Sequence, residues 1–173
     1  MEQRRFATMG QNLYIITAKI VRNQNLCRLL YYTDRDPLAI GKSNINGVDL
    51  IGKNILVVPK PLDSLLTKEN YIIAGFDSFY IHPSNKEFKV GSIQITIMCP
   101  FEEWELDNNS LRPYLIMEEI DKELNGQKIN GIGTLTFSGA SQLAFSPQLG
   151  GYIMEYKNNE FNWRNWWVTT SIW

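Results

Sequence analysis

The sequence predicts an α+β domain. Its expected form is a mixed, mainly antiparallel sheet with two main helices packed on one face, plus an extended aromatic arm at the C-terminus. Three observations carry that expectation. Residues 71–98 are rich in aromatic and β-branched side chains around a Pro83-Ser84-Asn85 turn, the pattern of a long hairpin. Residues 112–124 place Ile116, Ile120 and Leu124 on one helical stripe that ends at Asn125-Gly126. Residues 161–173 hold Trp163, Trp166, Trp167 and Trp173, all but one of the 5 tryptophans in the chain.

The elements follow in order. Residues 11–33 have helical spacing, with Leu13, Ile16 and Ile20 on one stripe that Cys27, Leu30 and Tyr31 can continue. Asn23-Gln24-Asn25 interrupts the helical propensity, which allows a kinked helix or two short ones. Asp36-Pro37 ends the segment, because the residue before proline is pushed out of helical geometry. A glycine-punctuated loop leads to a short strand at 54–58 (NILVV), closed by Pro59 and Pro61. A polar turn at 63–70 precedes the hairpin. In its second strand Phe88, Val90 and Ser92 give way to Ile93, Ile95 and Ile97, and this change of phase near Gly91-Ser92 predicts a β-bulge.

After the acidic loop Glu102-Glu103-Trp104-Glu105, residues 107–110 offer capping side chains and Pro113 suits an early helical position. Met117 lies beside the apolar stripe, while Glu118, Glu119 and Asp121 fall on its polar side. Lys122 follows Glu118 at ion-pair spacing. Two strands then follow at 131–138 and 151–156. In the arm, Trp166, Val168 and Ile172 share one face of an extended strand; Trp167, Thr169, Ser171 and Trp173 share the other. Such a strand is either central to a sheet or covered by a partner. We read a single domain over 1–160 and an arm over 161–173 that docks on a neighbouring subunit or pairs with a sheet edge.

Composition narrows the function. The chain has 173 residues, 44% hydrophobic and 20% charged, which suits a folded domain with a real core. With 17 basic and 18 acidic side chains the net charge is -1, which argues against general phosphate affinity. Arg4, Arg5, Lys19, Arg22 and Arg28 are the only basic gathering, spread over several helical turns. No apolar run approaches the ~20 residues of a membrane span. The first residues lack a signal-peptide pattern, so the chain is expected in the cytoplasm where it is made, and the Asn108-Asn109-Ser110 glycosylation match is empty there. Cys27 and Cys99 form no CxxC pair and read as small buried hydrophobes.

No catalytic or cofactor motif stands out, and no cofactor or metal is expected. His82, the only histidine, sits at a hairpin turn and cannot build a histidine-rich metal site. Gly131-Ile132-Gly133 opens a strand after a helix, the reverse of a dinucleotide fingerprint. A metal-dependent hydrolase or nuclease would have to draw on Asp34, Asp36 and Asp77 with His82. The aromatic arm could instead stack sugars or bases, but with only Arg164 interleaved it fits interface anchoring better.

Residues 26–38 (LCRLLYYTDRDPL), 54–61 (NILVVPKP) and 112–133 (RPYLIMEEIDKELNGQKINGIG) resemble the tail terminator or tail completion proteins of long-tailed bacteriophages. Element order over residues 12–156 is also similar: an N-terminal helix, a mixed sheet, then a second helix before a final hairpin. The resemblance implies a virion structural subunit without chemistry, forming a ring, commonly a hexamer. That ring would cap the tail tube protein and join it to head-closure or adaptor neck proteins, with double-stranded DNA passing unbound through its lumen. A head-closure or adaptor role is the nearest alternative. The tryptophan-rich arm departs from the family pattern.

Overall fold

The computed structural model describes residues 7–57, 69–82, 85–129 and 132–158. The expected arm at 161–173, the proline-closed end of the first strand and most of the 63–70 turn lie outside them. Among the described residues three α-helices, α1 (Ala7–Ile20), α2 (Gln24–Tyr31) and α3 (Arg112–Leu124), accompany six strands: β1 (Ile55–Leu56), β2 (Tyr71–His82), β3 (Asn85–Pro100), β4 (Lys128–Ile129), β5 (Gly133–Ala144) and β6 (Leu149–Asn158). The strands form one sheet in the order β1-β2-β3-β6-β5-β4. β1–β2 is parallel and every other pair antiparallel. The domain is α+β, as the sequence predicts, with two hairpins joined along β3 and β6.

The helices cover one sheet face. Ile72 and Ala74 of β2, Ile93, Ile95 and Ile97 of β3, and Met154 and Tyr156 of β6 meet Ile16, Ile20, Leu26, Leu30 and the α3 stripe Ile116, Ile120, Leu124. Each fully buried isoleucine or leucine contributes roughly 2 kcal/mol of transfer free energy. The other face carries a small cluster of Leu56, Tyr71 and Met98, with Ile73 and Phe145 against it. Both cysteines are buried free thiols; burial pushes Cys27 up to about 11 and raises Cys99 further.

The structure sharpens several expectations. The first segment is two helices, and Asn23 is the N-cap of the second: its side chain accepts from Leu26 N at 3.0 Å. The amide of Asn23 also donates to Glu119 at 2.9 Å and Glu123 at 3.2 Å, fastening α2 to α3. Glu119 is therefore buried, not on a solvated face. Glu118 stays exposed and pairs with Lys122 at 2.8 Å as its spacing predicts. Tyr31 leaves the apolar stripe for solvent. The bulge lies opposite Ser92, but the extra residue belongs to β2: Phe76 pairs with Ile93 and Phe79 with Gly91, while β3 pairs with β6 without a break. β5 and β6 are longer than the sequence suggests, and β1 is shorter.

Residues 107–110 do not cap α3. Leu111 is the N-cap residue and makes no side-chain cap bond, while Asn108 accepts from the Ser110 amide within its own turn. The helix end is as expected: Asn125 leaves helical geometry and Gly126 takes φ 70°, where a side chain would be strained.

Candidate interaction surface

The strongest local organisation sits where β3 ends and α3 begins. After Pro100 a 3-10 turn, Phe101–Glu103, reverses the chain, and the amide of Arg112 returns to Trp104 O at 2.8 Å. Arg112, the first residue of α3, is 0% exposed. Its guanidinium donates to Leu29 O at 2.8 Å, Tyr32 O at 2.6 Å, Asp34 O at 2.5 Å and Glu103 O at 3.0 Å. The first two carbonyls are at the C-terminal end of α2, where the last turn leaves acceptors without helical donors. A cation there is also favoured by the helix dipole. One side chain thus closes α2, holds the loop after it, and fixes the turn that begins at Phe101.

Beneath that turn lies a chain of buried polar groups. Asn54 donates to Asn70 O at 3.0 Å, Asn70 donates to Glu103 Oε2 at 2.8 Å, and Glu103 Oε2 stands 3.9 Å from Arg112 Nε. Burial raises the Glu103 carboxyl above its ordinary value, while the Asn70 hydrogen bond and Arg112 pull it back only in part. A carboxyl raised on folding contributes stability that is complete below its unfolded value and is lost as pH rises through the folded one. Stability of the wild type relative to Glu103→Gln is therefore expected to fall as pH rises above the ordinary glutamate value of about 4.3. Thermal melts of both proteins at a series of pH values from below that point upward check it; parallel curves would refute it. The comparison isolates Glu103 from Asp34 and Glu119, whose carboxyls are held below their ordinary values and lose stability in the opposite direction.

Above the network opens a cleft of about 390 Å³ lined by Arg35, Phe101, Glu102, Trp104, Glu105 and Leu111. Its aromatic wall continues as a strip. Trp104 lies 5.3 Å from Phe101 and 6.4 Å from Tyr152, and Tyr152 lies 5.3 Å from Tyr114 (ring centroids). Tyr152 donates to the Tyr114 hydroxyl at 2.7 Å, and that bond, ahead of burial, pushes Tyr152 up to about 12. Phe101 is 41% and Tyr114 50% exposed. The rim is acidic, with Arg35 bridging Glu105 at 3.4 Å and Asp107 at 3.3 Å. These exposed pairs add little stability, so their effect is to shape the rim. A wall of semi-exposed aromatics with a charged rim has the anatomy of a binding hot spot.

The residues singled out from the sequence are placed elsewhere. Asp34 and Asp36 are exposed in the loop after α2, and Asp34 pairs with Lys42. Asp77 is exposed at the β2 bulge, and His82 ends β2. Among the described residues no group of three or more His, Cys, Asp or Glu could hold a metal ion. No helix among them is long and apolar enough to cross a membrane. Trp163, Trp166, Trp167 and Trp173 lie outside the described residues. The cleft is not among the sites the sequence suggests; its one local signal is Trp104 inside an otherwise acidic loop.

Fold and cleft together define an α+β protein that displays aromatic side chains at one end of its helical layer. Residues 23–158, from the N-cap of α2 to the last residue of β6, match the YomW family model. The chain belongs to the YomW family, a phage-type family. No curated protein matches it.

Proposed function

We propose that this protein is a structural ring subunit of a phage neck or tail, a tail terminator or tail completion protein joining the tail tube to the head–tail connector. The observation that supports the reading best is the aromatic strip of Phe101, Trp104, Tyr152 and Tyr114 on a chain of a phage-type family. Large aromatics left in solvent are costly unless a partner covers them. The partners are further copies of the chain in a ring, commonly a hexamer, the tail tube protein, and head-closure or adaptor neck proteins. Trp163, Trp166, Trp167 and Trp173 are additional anchors on the arm. Double-stranded DNA passes through the lumen, and a net charge of -1 leaves a wall that does not trap phosphate. The subunit works in the virion and carries out no chemistry.

Sedimentation and negative-stain imaging of the full-length protein test the reading. A closed ring that co-purifies with virions is expected. A monomer with divalent-metal-dependent hydrolytic activity would overturn it.

A further inference from the structure

β5 has a bare edge. Its inner side pairs with β6 up to Ala144, but β4 reaches only Gly133 and Thr134 on the outer side. The turn after α3 extends that cover slightly: Leu135 N donates to Gln127 O at 3.1 Å, and Phe137 N to the Asn125 side chain at 3.1 Å. Beyond Phe137 nothing among the described residues pairs with the outer edge of 138–144 (SGASQLA). Folded proteins blunt such edges with lysine, proline, inward charges or a covering element. This segment has no charge and no proline, and all of it is exposed or half-exposed. One bulge, at Ser138, separates it from the covered part. Its side chains are small at Ser138, Gly139, Ala140, Ser141 and Ala144, and a Cβ added at Gly139 would meet nothing within 4 Å.

We propose that this edge receives residues 161–173 of a second copy as an added strand. The tail sequence FNWRNWWVTTSIW is rich in strand-forming residues and carries one charge, Arg164. Small residues along β5 leave room for tryptophans as cross-strand neighbours, and an aromatic side chain laid over an edge glycine such as Gly139 is a known device that stabilises sheets. Main-chain bonds to an open edge are an established mode of peptide capture. The donor is a second copy because of where the tail starts. Asn158 is opposite Leu135, at the β4 end of β5, so a tail returning along its own β5 would have to pass around β4. Residues 159–173 can span roughly 50 Å when extended, enough to reach a neighbour. Repeated around a ring, tail into edge is a head-to-tail contact of the kind that closes cyclic assemblies. This inference rests on the ring reading for its geometry, and the experiment separates the two.

Mass by sedimentation and amide exchange are measured on three full-length proteins: the wild type, the tail variant Trp166→Lys with Trp167→Lys, and the edge variant Ser141→Lys. The wild type is expected to be oligomeric with slow exchange over 138–144. Either variant should shift the mass to the monomer and speed exchange there by at least about tenfold, with exchange in β3 and β6 unchanged as the folding control. An oligomer that survives both variants overturns the strand exchange and leaves the ring standing. A monomeric wild type overturns both, and protection of 138–144 in that monomer would place the tail on its own subunit.

Discussion

Arg112→Met is expected to lower the stability of the domain by about 3–5 kcal/mol. Methionine matches much of the arginine's length and fills the space, so the loss is not a cavity effect. Four backbone carbonyls lose their donor, those of Leu29 and Glu103 buried and those of Tyr32 and Asp34 partly so. Replacing a whole buried ion pair with apolar residues can be neutral, because both polar partners leave together. Here the partners are main-chain groups that no substitution removes, and each unsatisfied one costs about 1–3 kcal/mol unless the loop opens to water. Glu103 also loses its cation. Arg112→Lys should recover only part of the loss, since one ammonium cannot reach carbonyls on several sides of a planar fork. Urea unfolding followed by circular dichroism measures the difference. A loss below about 1 kcal/mol would mean that Arg112 does not hold the end of α2.

That residue also marks the limit of what the sequence discloses. Ile116, Ile120 and Leu124 declare a buried face because apolar spacing is periodic, and all three are fully buried. The long hairpin of β2 and β3 is legible for the same reason, as is the stop at Asn125-Gly126, where only local backbone geometry matters. Arg112 has no such signature. An arginine at the first position of a helix reads as solvent-exposed, and its burial depends on carbonyls about 80 residues away in the chain that the fold brings round it (Arg112 to Leu29 is a separation of 83). Glu119 misleads in the same way, since its period places it on the polar side and its partner, Asn23, comes from another helix. The aromatic strip combines both difficulties: Phe101, Trp104, Tyr114 and Tyr152 come from three separate segments, and only the turn fixed by Arg112 sets the first two beside Tyr152. The bare edge of β5 depends on where β4 stops pairing, which local sequence does not encode.

Gly151→Ala should cost about 3 kcal/mol, whereas Gly150→Ala should cost about 1 kcal/mol or less. The two glycines are adjacent in β6, yet their surroundings differ in kind. A Cβ at Gly151 would lie 2.0 Å from the carbonyl oxygen of Ile97 and 3.3 Å from Met98 Cα. Those are backbone atoms of β3, the strand paired with β6 from Gly91 to Pro100, so the new methyl can be accommodated only by prying the two hairpins apart. A Cβ at Gly150 would lie 2.4 Å from the ring of Phe101 and 3.3 Å from Trp104 Cζ2; both contacts are ring atoms of side chains, and with Phe101 41% exposed its ring has solvent to move into. For a chain of this size 1 kcal/mol corresponds to about 2–4 °C in melting temperature, so calorimetry should find Gly151→Ala roughly 10 °C below the wild type and Gly150→Ala within about 4 °C. Equal melting temperatures for the two variants would contradict the close approach of β3 and β6. The milder substitution has a second use, because it displaces Phe101 from the cleft while leaving the sheet intact. If the aromatic strip binds a partner, Gly150→Ala weakens assembly without unfolding the subunit, and stability and assembly become separable at neighbouring positions of one strand.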